Sequence, residues 1–129
     1  MEVTKITNAT RVYKIGEVET HALRGVDLEI RKGDFAVLVG PSGSGKTTLL
    51  NVIGGLDAPS GGRVWVAGTE IGRLSKSALS EVRLRRIGFV FQEFNLIPVL
   101  SALENVEFVM LLQGRPEVQR RARALGLLK

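Results

Sequence analysis

Gly40-Pro41-Ser42-Gly43-Ser44-Gly45-Lys46-Thr47 is the stretch whose reading decides the fold. It fits G-x-x-x-x-G-K-[ST], the loop that holds phosphate groups. Its glycines free the backbone so that successive N–H groups converge on phosphate oxygens. Lys46 adds a point charge where the terminal phosphates lie. The Thr47 hydroxyl is placed to ligate the Mg²⁺ that travels with a nucleoside triphosphate. The helix predicted to begin here contributes the positive end of its dipole.

The flanks satisfy the motif. Phe35-Ala36-Val37-Leu38-Val39 is a continuous apolar run of strand length, which predicts a strand buried on both faces. After the loop, Leu49, Val52, Ile53 and Leu56 recur at the spacing of one helix face. A dinucleotide fingerprint fits less well, because Thr48 stands where its third glycine belongs.

A length of 129 residues suits one domain with a real core. The apolar fraction of 44% and charged fraction of 24% argue against disorder. No apolar run approaches the ~20 residues that span a bilayer, and no leader pattern opens the chain. The expected location is therefore the cytoplasm. The absence of cysteine excludes disulfides, thiol nucleophiles and thiolate metal sites. The single histidine, His21, has no second histidine to share a metal and reads as a surface or packing residue. The net charge of +5 comes mainly from arginines in residues 83–86 and 120–123. Charge alone leaves nucleic acid open, but apolar residues separate these arginines and no aromatic platform accompanies them. Solvated helix faces are the expectation, with no nucleic-acid partner.

The first third reads as short strands and turns. Residues 3–10 alternate loosely, Val12 and Tyr13 follow, and Gly16-Glu17 marks a hairpin tip. Residues 26–30 read as a half-exposed antiparallel strand, residues 57–62 as a loop and residues 63–66 as another strand. Residues 77–86 are predicted helical with Leu79 and Val82 inward, and residues 87–91 as an apolar strand leading into Gln92. Ser101-Ala102-Leu103-Glu104 is a capping box for a helix reaching about Gln113. That helix is apolar on every side from Phe108 to Leu112, so it lies in a core or meets a partner. Pro116 suits the first turn of a last helix.

A phosphate loop alone leaves small-molecule kinases, GTPases, helicases and transport ATPases open. Gln92, at the end of a predicted buried strand, either is a solvated loop residue or offers an amide oxygen to Mg²⁺ or to an attacking water.

Gly88-Phe89-Val90-Phe91-Gln92-Glu93-Phe94-Asn95-Leu96-Ile97-Pro98, with Leu100-Ser101-Ala102-Leu103-Glu104-Asn105-Val106 behind it, resembles the Q-loop region of ABC transporter ATPase domains. The likeness is to the branch that serves lipoprotein release and macrolide export. The phosphate loop with Thr48-Leu49-Leu50-Asn51, the run Gly55-Leu56-Asp57-Ala58-Pro59-Ser60-Gly61-Gly62, and the opening around Tyr13 resemble the same family. The resemblance covers essentially the whole chain. It implies an α/β fold, the P-loop NTPase fold of an ABC-type nucleotide-binding domain, with an antiparallel β subdomain and part of a parallel-sheet core. It also implies that Tyr13 stacks on adenine, and that backbone groups from Gly40 and Pro41 through Ser42, Gly43, Ser44, Gly45, Lys46, Thr47 and Thr48 hold the phosphates of ATP. Thr47 and Gln92 would hold Mg²⁺, and Lys46 and Gln92 would serve catalysis. Residues 93–109, from Glu93 to Val109, would meet a membrane permease subunit at the cytoplasmic face of the membrane, giving Phe94, Leu96 and Ile97 a reason to be apolar. The full-length protein would pair with a second copy across the nucleotides.

The sequence also departs from the family pattern. No Leu-Ser-Gly-Gly-Gln signature, no apolar strand ending in Asp-Glu and no histidine follow Gln92. Residues 1–129 are thus expected to be the amino-terminal part of the domain, truncated before most of the hydrolytic apparatus. By itself such a chain is expected to be poorly stable and to bind ATP weakly. The alternatives are a non-transport family member in division or repair, or a remnant without hydrolytic activity.

Overall fold

Ile15 faces Val18 across a turn at Gly16 and Glu17, and two long antiparallel strands run back from it, β1 (Glu2–Ile15) and β2 (Val18–Arg31). They are continuous where the sequence suggested shorter pieces. The computed structural model describes residues 2–129, in two compact units, one ending at Arg83 and the other Leu84–Lys129.

In the first unit, β3 (Gly61–Val66) and the two-residue β4 (Thr69–Glu70) extend the hairpin into an antiparallel sheet of order β2-β1-β3-β4. Alternation decides its buried face: Thr4 and Ile6 lie opposite Val66 and Val64, and all four are buried. A bulge then changes the count. Asn8 takes φ 48°, its N–H donates to Asp27 Oδ1 at 2.8 Å, and Ala9 rather than Asn8 joins the buried side. Helix α1 (Lys46–Ile53) adds Leu49 and Val52 to the buried set. Val52 and Val64 are fully enclosed, and burying such a side chain contributes about 1.5–3 kcal/mol. Leu56, expected on the same helix face, lies past the helix end and is exposed.

A 3₁₀ turn (Ile71–Arg73) leads to α2 (Lys76–Arg86), within which the two units meet in sequence. Arg83, expected on a solvated face, is half-buried and donates to the Gly55 carbonyl at 2.6 Å.

Two expectations fail here. Residues 35–39, read as a strand buried on both faces, form no ladder; Phe35 is 93% and Val39 89% exposed. Residues 87–91 likewise form no ladder, although Phe89 and Phe91 stack with ring centroids 5.8 Å apart, as side chains two apart on an extended chain do. A two-sided strand takes both its hydrogen bonds and its burial from neighbours. Among the described residues neither run has a ladder partner.

In the second unit, α3 (Ala102–Leu112) packs on α4 (Glu117–Leu127), where Ala124 is buried. The capping box is formed: Ser101 Oγ accepts the Glu104 N–H at 3.2 Å, and Glu104 Oε2 accepts the Ser101 N–H at 2.7 Å. Pro116 is the residue just before α4 rather than in its first turn.

Candidate nucleotide site

Gly45 takes φ 92° and starts α1 with no side-chain cap. The first N–H groups of that helix are thus left for an anion to accept. Lys46 Nζ folds back over the loop, donating to the carbonyls of Gly40 and Pro41 at 2.7 Å each and to Ser44 Oγ at 3.3 Å. All three ammonium donors are matched, which holds the positive charge within the loop.

Tyr13, Ser42, Gly43, Gly45, Lys46, Thr47 and Thr48 line one open cleft of about 600 Å³. Thr20, His21 and Ala22 complete it. The hairpin register brings Tyr13 beside Thr20, and the docking of the loop on β2 brings both to the phosphate loop. His21, read as an ordinary surface residue, therefore belongs to this cleft. The pairing implied by the Gly16-Glu17 tip was the signal that places it there.

Behind Tyr13 stands a network that the residue pattern did not reveal. Arg11 grips Asp57 with a two-pronged pair, Nε to Oδ2 at 2.8 Å and Nη2 to Oδ1 at 2.7 Å. The Tyr13 hydroxyl donates to Asp57 Oδ2 at 2.7 Å, and the Ala58 N–H donates to Oδ1 at 2.8 Å. The Arg11 guanidinium also lies over the Tyr13 ring, 4.5 Å from its centroid. Partial burial pulls the Asp57 carboxyl upward, but the Tyr13, Arg11 and Ala58 donors outweigh it and hold the group below its ordinary value. The same contacts outweigh burial at Arg11 and raise its pKa.

Gln92 lies in the second unit, exposed, in an irregular segment. Phe94 is 92% exposed and Leu96 is exposed as well, whereas Ile97 is half-buried. The Asn105 side chain holds the backbone here: it accepts the Ile97 N–H at 2.8 Å and donates to the carbonyls of Ile97, Leu100 and Ser101. Among the described residues no group of three or more His, Cys, Asp or Glu gathers as a metal site. The Thr47 hydroxyl, by contrast, is the hard oxygen donor that Mg²⁺ accepts alongside phosphate oxygens.

Comparison with known proteins fits this geometry. The family model described as ABC transporter matches residues 23–129. An uncharacterized ABC transporter ATP-binding protein of Thermotoga maritima is 46% identical over 99% of the chain and 55% of its own length. The lipoprotein-releasing system ATP-binding protein LolD 1 of Rhodopseudomonas palustris is 49% identical over 98% of the chain and 57% of its own length. In three dimensions the chain is similar to the ATP-binding cassette MJ0796, solved as a dimer in a post-hydrolysis state bound to ADP and Pi. The TM-score is 0.89 at 45% identity, covering 95% of the chain and 54% of that structure. The chain thus spans about half the length of these relatives.

Proposed function

The chain belongs to the ABC transporter family, and on that premise we propose that residues 1–129 are the amino-terminal part of its ATP-binding domain, which binds Mg-ATP to drive an export or lipoprotein-release transporter. The observation that carries the reading is the single cleft shared by Tyr13 and the phosphate loop, an aromatic face and a cradle of N–H groups together.

Tyr13 stacks on the adenine ring, a contact worth about 1–3 kcal/mol per base. The N–H groups from Ser42 to Thr48 donate to the phosphate oxygens, and Lys46 exchanges its loop carbonyls for the terminal phosphates. Thr47 would hold Mg²⁺, and the amide oxygen of Gln92 would be a further ligand or the group that orients the attacking water. When bound, Mg²⁺ offsets the charge that builds on the phosphates during transfer.

Phe94 and Leu96, exposed beside Gln92 in sequence, support residues 93–109 as the surface that meets a membrane permease subunit at the cytoplasmic face. The names of relatives point the same way, including a macrolide export ATP-binding/permease protein of Brucella abortus, 41% identical to this chain. No described helix is long and apolar enough to cross a membrane, which fits a peripheral subunit. Pairing with a second copy across the nucleotides is proposed for the whole protein.

The test is a thermal melt of the protein as its gene encodes it, with and without Mg-ATP. Saturation at a hundredfold excess over Kd stabilises by about 2.7 kcal/mol. The expected rise in Tm disappears in Lys46→Ala; no rise in the wild type, or an equal rise in the variant, refutes the assignment.

A further inference from the structure

Arg11 and Asp57 have no part in the reading just given, yet they hold the Tyr13 ring in the cleft. The Tyr13 ring has two faces, and the Arg11 guanidinium covers one of them at 4.5 Å. Arg11 does not line the cleft, whereas Tyr13 does. The face left for a base is therefore the opposite one. The tilt of the ring is set at its far end, where its hydroxyl is held by Asp57 Oδ2 at 2.7 Å.

Asp57 is in turn fastened to the phosphate-loop helix. The carbonyl of Asn51, near the end of α1, accepts the N–H groups of Leu56 at 2.8 Å and of Asp57 at 3.2 Å. Ser60, three residues on, clips the strand on either side of Arg11: its N–H donates to the Thr10 carbonyl at 2.7 Å and its Oγ accepts the Val12 N–H at 2.9 Å. One short segment thus joins the far end of the cradle's helix to the strand and the ring. The side chains of Arg11 and Asp57 are each 23% exposed and meet with two-pronged geometry, unlike the loose surface pairs that contribute little.

We infer that Arg11 and Asp57 are positioning residues for nucleotide recognition: they fix the plane of the Tyr13 ring and its distance from the phosphate loop, so that an adenine base and its phosphates are met together. The inference rests on the Mg-ATP reading above. A nucleotide is matched by this spacing; a triphosphate without a base does not sense it.

The experiment compares the affinities of ATP and of inorganic triphosphate, each with Mg²⁺, by calorimetric titration of the protein as its gene encodes it. Asp57→Ala, Arg11→Met and Tyr13→Phe should each weaken ATP about three- to tenfold, while triphosphate binding stays within about twofold. In a Tyr13→Ala background, Asp57→Ala should cause no further loss, because it acts through the ring. Equal weakening of both ligands by Asp57→Ala would reveal a general structural role and overturn the inference. So would an unchanged ratio of the two affinities, or an undiminished effect of Asp57→Ala without Tyr13. Wild-type protein that binds neither ligand overturns the nucleotide reading itself. Tyr13→Phe keeps the ring and removes only the hydroxyl, so it tests the link even where Asp57→Ala fails to fold.

Discussion

Gly45 lies so close to β2 that a Cβ on it would stand 2.5 Å from the Ala22 carbonyl oxygen and 3.3 Å from Leu23 Cδ2. With φ at 92°, the residue is also in a region that side chains resist. The phosphate loop is thereby docked on the strand that carries its other wall, Thr20, His21 and Ala22.

Gly45→Ala should cost about 2–4 kcal/mol, from left-handed strain together with the clash at Ala22. The measurement is chemical denaturation, read beside ATP affinity. Loss in both is expected; a variant of wild-type stability and affinity would show that the loop does not depend on this contact.

Asp57 makes stability depend on pH with a definite sign. Its carboxyl is held below the ordinary value of 3.8, so the native state favours the ionised form. The contribution is fully present above about that pH and is lost as pH falls through the lower folded value. Asp57→Asn should cost about 2 kcal/mol near neutrality, with the gap to wild type narrowing below pH ~4. A gap that stays constant down the acid range would contradict the pair.

Ser101→Ala should destabilise the second unit by about 1 kcal/mol, since the Glu104 N–H loses its acceptor at the start of α3. The Ser101 N–H, donating to Glu104, holds that carboxyl below its ordinary value. Amide exchange at the first turn of α3 should quicken in the variant; unchanged protection would mean that packing on α4 alone holds the helix.

Phe94→Ala should reduce co-purification with the proposed membrane permease subunit at least about fivefold, the effect of losing an aromatic anchor, while the Tm of the protein stays within 1–2 °C of wild type. Undiminished capture would remove residues 93–109 as the coupling surface.

What was legible in the sequence was local. Loose alternation over residues 3–10 and a strand-like run over residues 63–66 marked strands, Ser101 with Glu104 marked a helix start, and the glycine loop before Lys46 marked an anion cradle. Each depends on neighbours within a few residues. The triad of Arg11, Tyr13 and Asp57 was not legible, because it joins residues 44 and 46 positions apart and carries no periodic signal of its own. His21 is the surface residue its sequence suggests, and its place on the cleft wall depends on which loop docks against its strand.

The sequence by itself determined the phosphate loop, the start of α3, the Gly16-Glu17 hairpin and the family, because backbone freedom, capping and alternation are set by adjacent residues. Only the tertiary structure decided that Tyr13 shares a cleft with Lys46, that Asp57 holds the ring, and that Phe35 and Val39 stand in the open. An apolar run records the surroundings a strand was made for, but its ladder and its burial come from other segments.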